Sequence, residues 1–403
     1  MKLYPYQEKG VKFIRSTPRA YLADEMGLGK SAQAIVALRD YPGVVVIAPA
    51  RTLPNWEQEA DTWGEDYQSF LLVSYTKLAR DYHEHWEPIS LKGTAVVLDE
   101  AHYCKNSRAK RTKAALQLAA DAPKAVLLSG TPMPNDAREL YPVFRYLWPE
   151  AIPDGITSAA KWRDHFCQWT PTQYGPRVYG HKNASQLIGM LRGRMLRRKL
   201  DDVGLDLPPL RVTYHALPND AVTQSELDEV LADFDAENAK DDPSSSRVRR
   251  LVGTLKAPVI ADTLAYELED GAYKKLVVMY HHTDVGNILA GRLKMFGLVR
   301  LDGRTKDSAQ VERMFREEDS VRVFLGQMTA AGTGLNLQVA SELAIVEPAW
   351  TPDENRQAIK RIHRIGQDAP CRARVFGVED TQDAAIMRTI ALKSNLQESV
   401  GLR

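Results

Sequence analysis

Short, unbroken apolar runs, each of strand length and each ending in polar, Gly- or Pro-containing residues, constrain this chain more than any other feature. They read Val44-Val45-Val46-Ile47, Ala95-Val96-Val97-Leu98, Ala125-Val126-Leu127-Leu128, Leu276-Val277-Val278-Met279, Val323-Phe324-Leu325, Leu343-Ala344-Ile345-Val346 and Arg374-Val375-Phe376. Runs rich in β-branched residues that do not alternate with polar ones suit strands buried on both faces, as in a parallel sheet. Helix-like stretches lie between them, and this alternation predicts an α/β layered fold. At the ends of the runs stand Ala48-Pro49-Ala50-Arg51, Asp99-Glu100, Ser129-Gly130-Thr131-Pro132 and Gly326-Gln327-Met328-Thr329. Open parallel sheets bind ligands at the carboxyl ends of their strands, so these segments are expected along one edge of each sheet.

The runs fall into two groups, roughly 20–130 and 275–378, in a chain of 403 residues. That length suits two domains. Between the groups, Trp148 to Gly193 is rich in aromatics, Gly and Pro and suggests a compact irregular or helical insertion. Leu207-Pro208-Pro209-Leu210 looks like a hinge or linker. Residues 226–242 carry eight acids against one lysine, the pattern of a solvated helix and loop. The expected division is a first lobe over 1–148, a helical insertion and linker over 149–212, and a second lobe over 213–403. That second lobe would include an acidic helical insertion near 219–250 and a helix-like tail from Asp383 to Val400 that braces the lobes.

With 53 basic and 52 acidic side chains, net charge indicates no polyanion partner, so any nucleic-acid surface must come from local clustering. Three cysteines, Cys104, Cys167 and Cys371, are widely spaced and in no metal pattern, which fits a reducing compartment. No apolar signal core and no membrane-length run is present. A cytoplasmic protein is expected.

Gly27-Leu28-Gly29-Lys30-Ser31 follows Tyr21-Leu22-Ala23 and precedes Ala32-Gln33-Ala34-Ile35-Val36, the strand–loop–helix context of a phosphate loop. Glycines let backbone N–H groups face phosphates, Lys30 adds charge near the β and γ groups, and Ser31 offers a hydroxyl to Mg²⁺. The generic pattern has Gly where this chain has Asp24. Asp99, at a strand end, would hold Mg²⁺, and Glu100 would orient the attacking water. In Gln357-Ala358-Ile359-Lys360-Arg361-Ile362-His363-Arg364-Ile365-Gly366-Gln367, a helix would put Arg361 and Arg364 on one face, aimed across a cleft at a γ-phosphate.

Taken in order, these motifs, with Gln7, Leu196-Arg197-Arg198-Lys199 and Gly332-Thr333-Gly334-Leu335-Asn336, resemble the SNF2 family of superfamily 2 ATPases over nearly the whole chain. The Met26-Gly27-Leu28-Gly29-Lys30 turn and the His363-Arg364-Ile365-Gly366-Gln367 ending are specific to it. Arg19, the segment from Tyr179 to Leu187, and Glu347-Pro348-Ala349-Trp350 look like the annealing-helicase and fork-remodelling branch.

The resemblance implies two RecA-like lobes, each a parallel sheet flanked by helices, with helical insertions between them. It also implies ATP and Mg²⁺ as cofactors and double-stranded DNA, forked or branched in some settings, as partner. Gln7, Arg19, Asp24, Gly27, Leu28, Gly29 and Gly334 would help hold the nucleotide. Lys360 departs from the family, standing where Asp is common. No room remains for an appended chromatin-reading, zinc-binding or fork-recognition module, which suggests a minimal monomeric motor of phage or bacterial origin.

Five bases fall within 105–113, five within 192–199, and Arg247, Arg249 and Arg250 form a third cluster. Such groups neutralise phosphates. The candidate DNA contacts are Arg51, Asn55, Trp56, Lys105, Arg197, Arg198, Thr329, Asn336 and Trp350; either tryptophan fits a core position as well. His83-Glu84-His85 and His281-His282 lack the further ligands a metal would need. The expected activity is a DNA-stimulated ATPase that moves on duplex DNA and remodels or anneals forks or displaces bound protein. The alternatives are a strand-separating helicase, for which the 149–193 segment would have to conceal a hairpin, and a non-catalytic DNA-binding scaffold.

Overall fold

The computed structural model describes residues 2–63, 70–81, 93–173, 175–204, 207–217, 245–331 and 335–379, together with 381, 383, 386, 387 and 390. His83-Glu84-His85, the acidic segment 226–242, Gly334 and most of the tail after Asp383 lie outside these residues. The chain divides between Leu205 and Asp206 into two compact units, each built on a six-stranded sheet.

In the first unit the strands are β1 (Arg19–Leu22), β2 (Gly43–Ala48), β3 (Phe70–Ser74), β4 (Thr94–Asp99) and β5 (Lys124–Leu128). A β6–β7 pair (Cys167–Thr172, Gly175–His181) and the short β8 (Met195–Leu196) follow. The sheet order is β3-β2-β4-β5-β1-β8, parallel throughout. The second unit holds β9 (Leu210–Leu217), β10 (Leu276–Tyr280), β11 (Leu298–Leu301), β12 (Val323–Gln327), β13 (Glu342–Ile345) and β14 (Cys371–Val378). Their order is β11-β12-β10-β13-β14-β9, again parallel. Helices flank both sheets, so each unit is a RecA-like lobe.

The central strands are the apolar runs. Every residue of β5 and β10 is buried, because helices cover both faces of the sheet. β3, β9 and β11 are edge strands with solvated positions and do not stand out as apolar runs. The Leu207-Pro208-Pro209-Leu210 segment leads directly into β9, whose eight residues pair with β14 from Leu210 opposite Cys371 to Leu217 opposite Val378. The second unit therefore begins before residue 213.

Nor does the 149–212 segment stand alone. It contains helices Ala159–Phe166 and Ala184–Leu191 around the antiparallel β6–β7 hairpin, then returns to the first sheet as β8 beside β1. Trp162, with no exposure, fastens it. Its ring meets Tyr141, Phe144 and Phe166 at centroid distances of 5.6, 5.2 and 4.5 Å, and its indole N–H donates to the Ala137 carbonyl at 2.8 Å. That satisfied polar tip lets a large ring be buried without penalty.

In the second unit Glu347, 1% exposed, joins the ends of β10 and β13. It accepts from the backbone N–H groups of His281 and His282 at 2.7 and 2.8 Å and pairs with Nδ1 of His282 at 2.6 Å. Burial pushes the His281 imidazole down to about 4, with Arg249 and His282 adding to the effect. A base whose folded value lies below its free value of about 6.5 binds a proton more weakly when folded. Stability is therefore lost as pH falls from about 6.5 to about 4. Replacing His281 with Gln should flatten that loss by on the order of 2 kcal/mol, read as urea midpoints of wild type and variant across this range. Parallel curves would refute it.

Candidate nucleotide-binding site

The phosphate loop follows β1 directly. Gly27 and Gly29 have φ of 86° and 67°, and Gly29 opens helix Lys30–Leu38. Gly29 is also needed for space: a Cβ there would lie 2.5 Å from Nε2 of Gln7. The Gln7 amide donates to the Leu28 carbonyl at 3.3 Å, and the Tyr6 hydroxyl donates to the same oxygen at 3.2 Å. Gln7 thus braces the loop from the first helix, Pro5–Ser16. Lys30 Nζ donates to the Asp24 and Glu25 carbonyls at 2.9 and 3.3 Å, and burial pulls its amine below the ordinary lysine value. Ser31 is half-buried in the first turn of the same helix.

Asp24 explains the departure from the generic loop pattern. Its carboxylate has no exposure and is held by Arg198, whose Nε donates to Oδ1 at 2.9 Å while Nη2 bonds Oδ2. Gln33 adds a bond to Oδ2 at 3.3 Å. Arg198 also donates to Gln33 Oε1 at 2.8 Å and to the Tyr6 carbonyl, with its guanidinium 5.3 Å from the Tyr6 ring. It is an internal strut rather than a DNA-facing side chain. Arg197 likewise donates inward, to the Ala23 and Gly130 carbonyls at 2.9 and 3.2 Å. Both placements follow from β8, which lays this segment against β1.

Arg19 does not reach the loop. It opens β1, at the far end of the strand, and donates to the Ala120 carbonyl at 2.8 Å, near the end of helix Lys110–Asp121. A cation at a helix carboxyl terminus is electrostatically favourable, and that accounts for the residue.

Asp99 ends β4. Its Oδ2 accepts from the Trp56 indole N–H at 2.9 Å, its Oδ1 from the Glu100 backbone N–H at 3.0 Å, and its carbonyl from the Tyr75 hydroxyl at 2.9 Å. Trp56 is 2% exposed and turned inward, so it is not a DNA-contact surface. Glu100 adopts a left-handed φ of 48°, a conformation that costs a non-glycine residue energy and collects at functional sites. His102 Nδ1 lies 3.3 Å from Glu100 Oε2 and 3.0 Å from the Ser129 hydroxyl, which links the ends of β4 and β5.

Burial, then the neighbouring Glu100, pushes the Asp99 carboxyl up to about 6. Two adjacent, partly buried carboxylates with a lysine nearby form a donor set for a hard divalent cation, which would relieve their repulsion. Asp99 and Ser31 would hold Mg²⁺ there.

In the second unit, helix Pro352–Ile359 stops before Arg361 and Arg364, so the two do not share a helix face. They are brought together by turns. Gln367 supplies the backbone acceptors' partner, donating to the carbonyls of Ile362, Gln338 and Ala340 at 2.8, 3.0 and 3.0 Å. Both arginines then donate to the Leu335 carbonyl at 3.3 Å.

Of the other candidate contacts, Arg51 and Thr329 are exposed, while Asn55, Asn336 and Trp350 are half-buried. Lys105 is half-buried too, 3.5 Å from Glu139. The third basic cluster divides: Arg249 is buried and donates to the Pro348 carbonyl, Arg250 pairs with Asp284, and Arg247 is exposed.

A glycine-turned loop, a paired Asp-Glu at a strand end and two parallel α/β lobes define a nucleotide-binding RecA-like ATPase core. Family models narrow this further: residues 65–256 match the SNF2-related domain and residues 260–366 the helicase conserved C-terminal domain. The chain belongs to the SNF2 family of superfamily 2 ATPases.

It is 27% identical to the SWI/SNF-related matrix-associated actin-dependent regulator of chromatin subfamily A-like protein 1 homolog of Caenorhabditis elegans, over 100% of this chain and 62% of that protein. Against the DNA annealing helicase and endonuclease ZRANB3 of Mus musculus the identity is 25%, over 99% of this chain and 40% of that protein. The chain therefore spans less than two thirds of the length of these relatives. A solved Sulfolobus solfataricus SWI2/SNF2 ATPase core in complex with dsDNA shares 21% identity at a TM-score of 0.43, covering 100% of this chain and 94% of that one.

Replacing Arg198 with Ala should leave the buried Asp24 carboxyl without its guanidinium partner. The expected cost is about 3–5 kcal/mol, measured by denaturant unfolding. A variant that is fully stable but fails to bind duplex DNA would instead make Arg198 a DNA contact.

Proposed function

We propose that this protein couples ATP hydrolysis to movement along double-stranded DNA. The observation that carries the catalytic half is the edge of the first sheet, where Lys30 and the glycine turn lie beside Asp99 and Glu100. Bound Mg²⁺ would neutralise charge on the β- and γ-phosphates. Lys30, which here donates to the Asp24 and Glu25 carbonyls, would bind the phosphates and Glu100 would position the attacking water. Arg361 and Arg364 would supply positive charge that stabilises the transition state.

The DNA half rests on the surface that remains once the internal arginines are set aside. Arg108, Lys110, Arg111 and Lys113 are exposed at or just before the start of helix Lys110–Asp121, whose first turn contains no acid. A helix amino terminus favours anions and disfavours cations, so several bases there are best matched by a polyanion. With Arg51 they would hold a phosphate backbone without reading sequence, and the exposed Thr329 is a candidate contact in the second unit. The substrate we favour is forked or branched DNA that the motor remodels or anneals, a preference supported by relatives of the annealing-helicase kind.

One observation favours strand separation as a second reading: the 149–193 segment does contain a hairpin, β6–β7, with Arg177 and Tyr179 exposed. Release of a labelled strand from a fork, reduced when the hairpin is shortened, would support it.

Lys30→Ala and Glu100→Gln should each lower ATP turnover by on the order of 10²–10³ while duplex binding persists. Phosphate release with no nucleic acid, single strands, blunt duplex, forks and RNA separates the classes. Stimulation by duplex is expected. Stimulation only by single strands or RNA would overturn the duplex motor, and substantial turnover in either variant would overturn the site.

A further inference from the structure

Trp56 belongs to the core of the first unit, and its polar edge reaches the candidate site. Its ring is buried in helix Leu53–Thr62, yet its polar edge meets a carboxylate 43 residues away rather than a backbone carbonyl. A bond from a buried N–H to an ionised oxygen is charge-assisted and directional. A two-torsion ring leaves little slack between the helix and the Asp99 oxygen it holds.

The helix is entered through the turn Ala50–Thr52, which carries the exposed Arg51. A second line also ends on Asp99. The Tyr75 ring, whose hydroxyl holds the Asp99 carbonyl, stacks on Tyr103 at 5.4 Å. Arg111 lies over Tyr103 at 5.7 Å and donates to its carbonyl at 3.2 Å. Both lines run from an exposed arginine to the same acid.

We propose that Trp56 is a positioning residue that transmits the placement of helix Leu53–Thr62, and of Arg51 at its head, to the Asp99 carboxylate. The inference rests on Asp99 being the Mg²⁺ ligand of a DNA-stimulated ATPase. A phosphate backbone held at Arg51 displaces the helix, and the indole carries that displacement to the oxygen it holds. Packed side chains and hydrogen bonds with two arrangements are the physical means of such coupling.

The test is Trp56→Phe, which keeps an aromatic ring and removes the N–H, beside Trp63→Phe as control. Trp63 sits at the end of the same helix, and its indole N–H bonds Glu59 at 3.3 Å instead of Asp99. Three functional quantities are measured in the full chain, alongside the melting temperature: duplex affinity, the Mg²⁺ concentration for half-maximal turnover, and the ratio of duplex-stimulated to basal turnover.

Trp56→Phe should hold duplex affinity within about twofold, raise the Mg²⁺ requirement about tenfold, as loss of a hydrogen bond to a charged group does, and cut the stimulation ratio several-fold. Trp63→Phe should match wild type in all three. An unchanged Mg²⁺ requirement and stimulation ratio in Trp56→Phe, or a lowered melting temperature common to both variants as the sole effect, would overturn the proposal and leave the ATPase assignment standing. Absence of Mg²⁺-dependent hydrolysis in wild type with every nucleic acid would overturn both.

Discussion

The buried pair of Asp24 and Arg198 is the constraint on which the first lobe depends. Asp24 lies inside the lobe, where an unpaired carboxylate would be costly. Its partner arrives 174 residues later, after the insertion and hairpin have been built. To deliver that guanidinium the chain must return to β1 as β8, and the backbone follows: the Glu25 N–H donates to the Arg198 carbonyl at 2.8 Å. The residues that lead into the phosphate loop, Asp24 and Glu25, are thus held by a segment far along the chain. A local motif has acquired a non-local determinant, which makes 149–204 part of the nucleotide site rather than a linker beside it.

How much of this was legible in the sequence follows from where each signal is stored. Strands buried on both faces announce themselves as apolar runs, and the glycine turn and Asp-Glu pair state their chemistry in adjacent residues. β9 is hidden because most of its eight residues are solvated and it pairs on one side. β8 is hidden because two residues carry no pattern. The roles of Trp56, Arg197 and Arg198 depend on acceptors far along the chain. A tryptophan or arginine shows its type but not which way its polar end points. The spacing of Arg361 and Arg364 suggested a helix, yet they are gathered by turns whose backbone acceptors are met by the Gln367 side chain. Equivalent proximity came from a different local structure.

Sorting the basic residues by acceptor separates two populations that composition merges. Arg197, Arg198 and Arg249 end on buried residues, Arg19 on the half-buried Ala120 carbonyl, and all four hold the fold together. The exposed bases at 108–113 include side chains placed at a helix start that is electrostatically wrong for them. Arg111 is partly accounted for by its bond to the Tyr103 carbonyl, whereas Arg108, Lys110 and Lys113 are exposed at this helix start.

The same logic applies at the catalytic edge. Asp99 is pushed toward protonation by burial and by Glu100, Glu100 holds a left-handed backbone, and Lys30 is drawn onto loop carbonyls with its charge disfavoured by burial. Each is a modest cost in the protein alone. A divalent cation would relieve the first, and a polyphosphate would offer Lys30 a better partner than two carbonyls. The unfavourable features of the site are complementary in charge to Mg²⁺ and ATP, which is how a preorganised electrostatic site differs from an ordinary strand end.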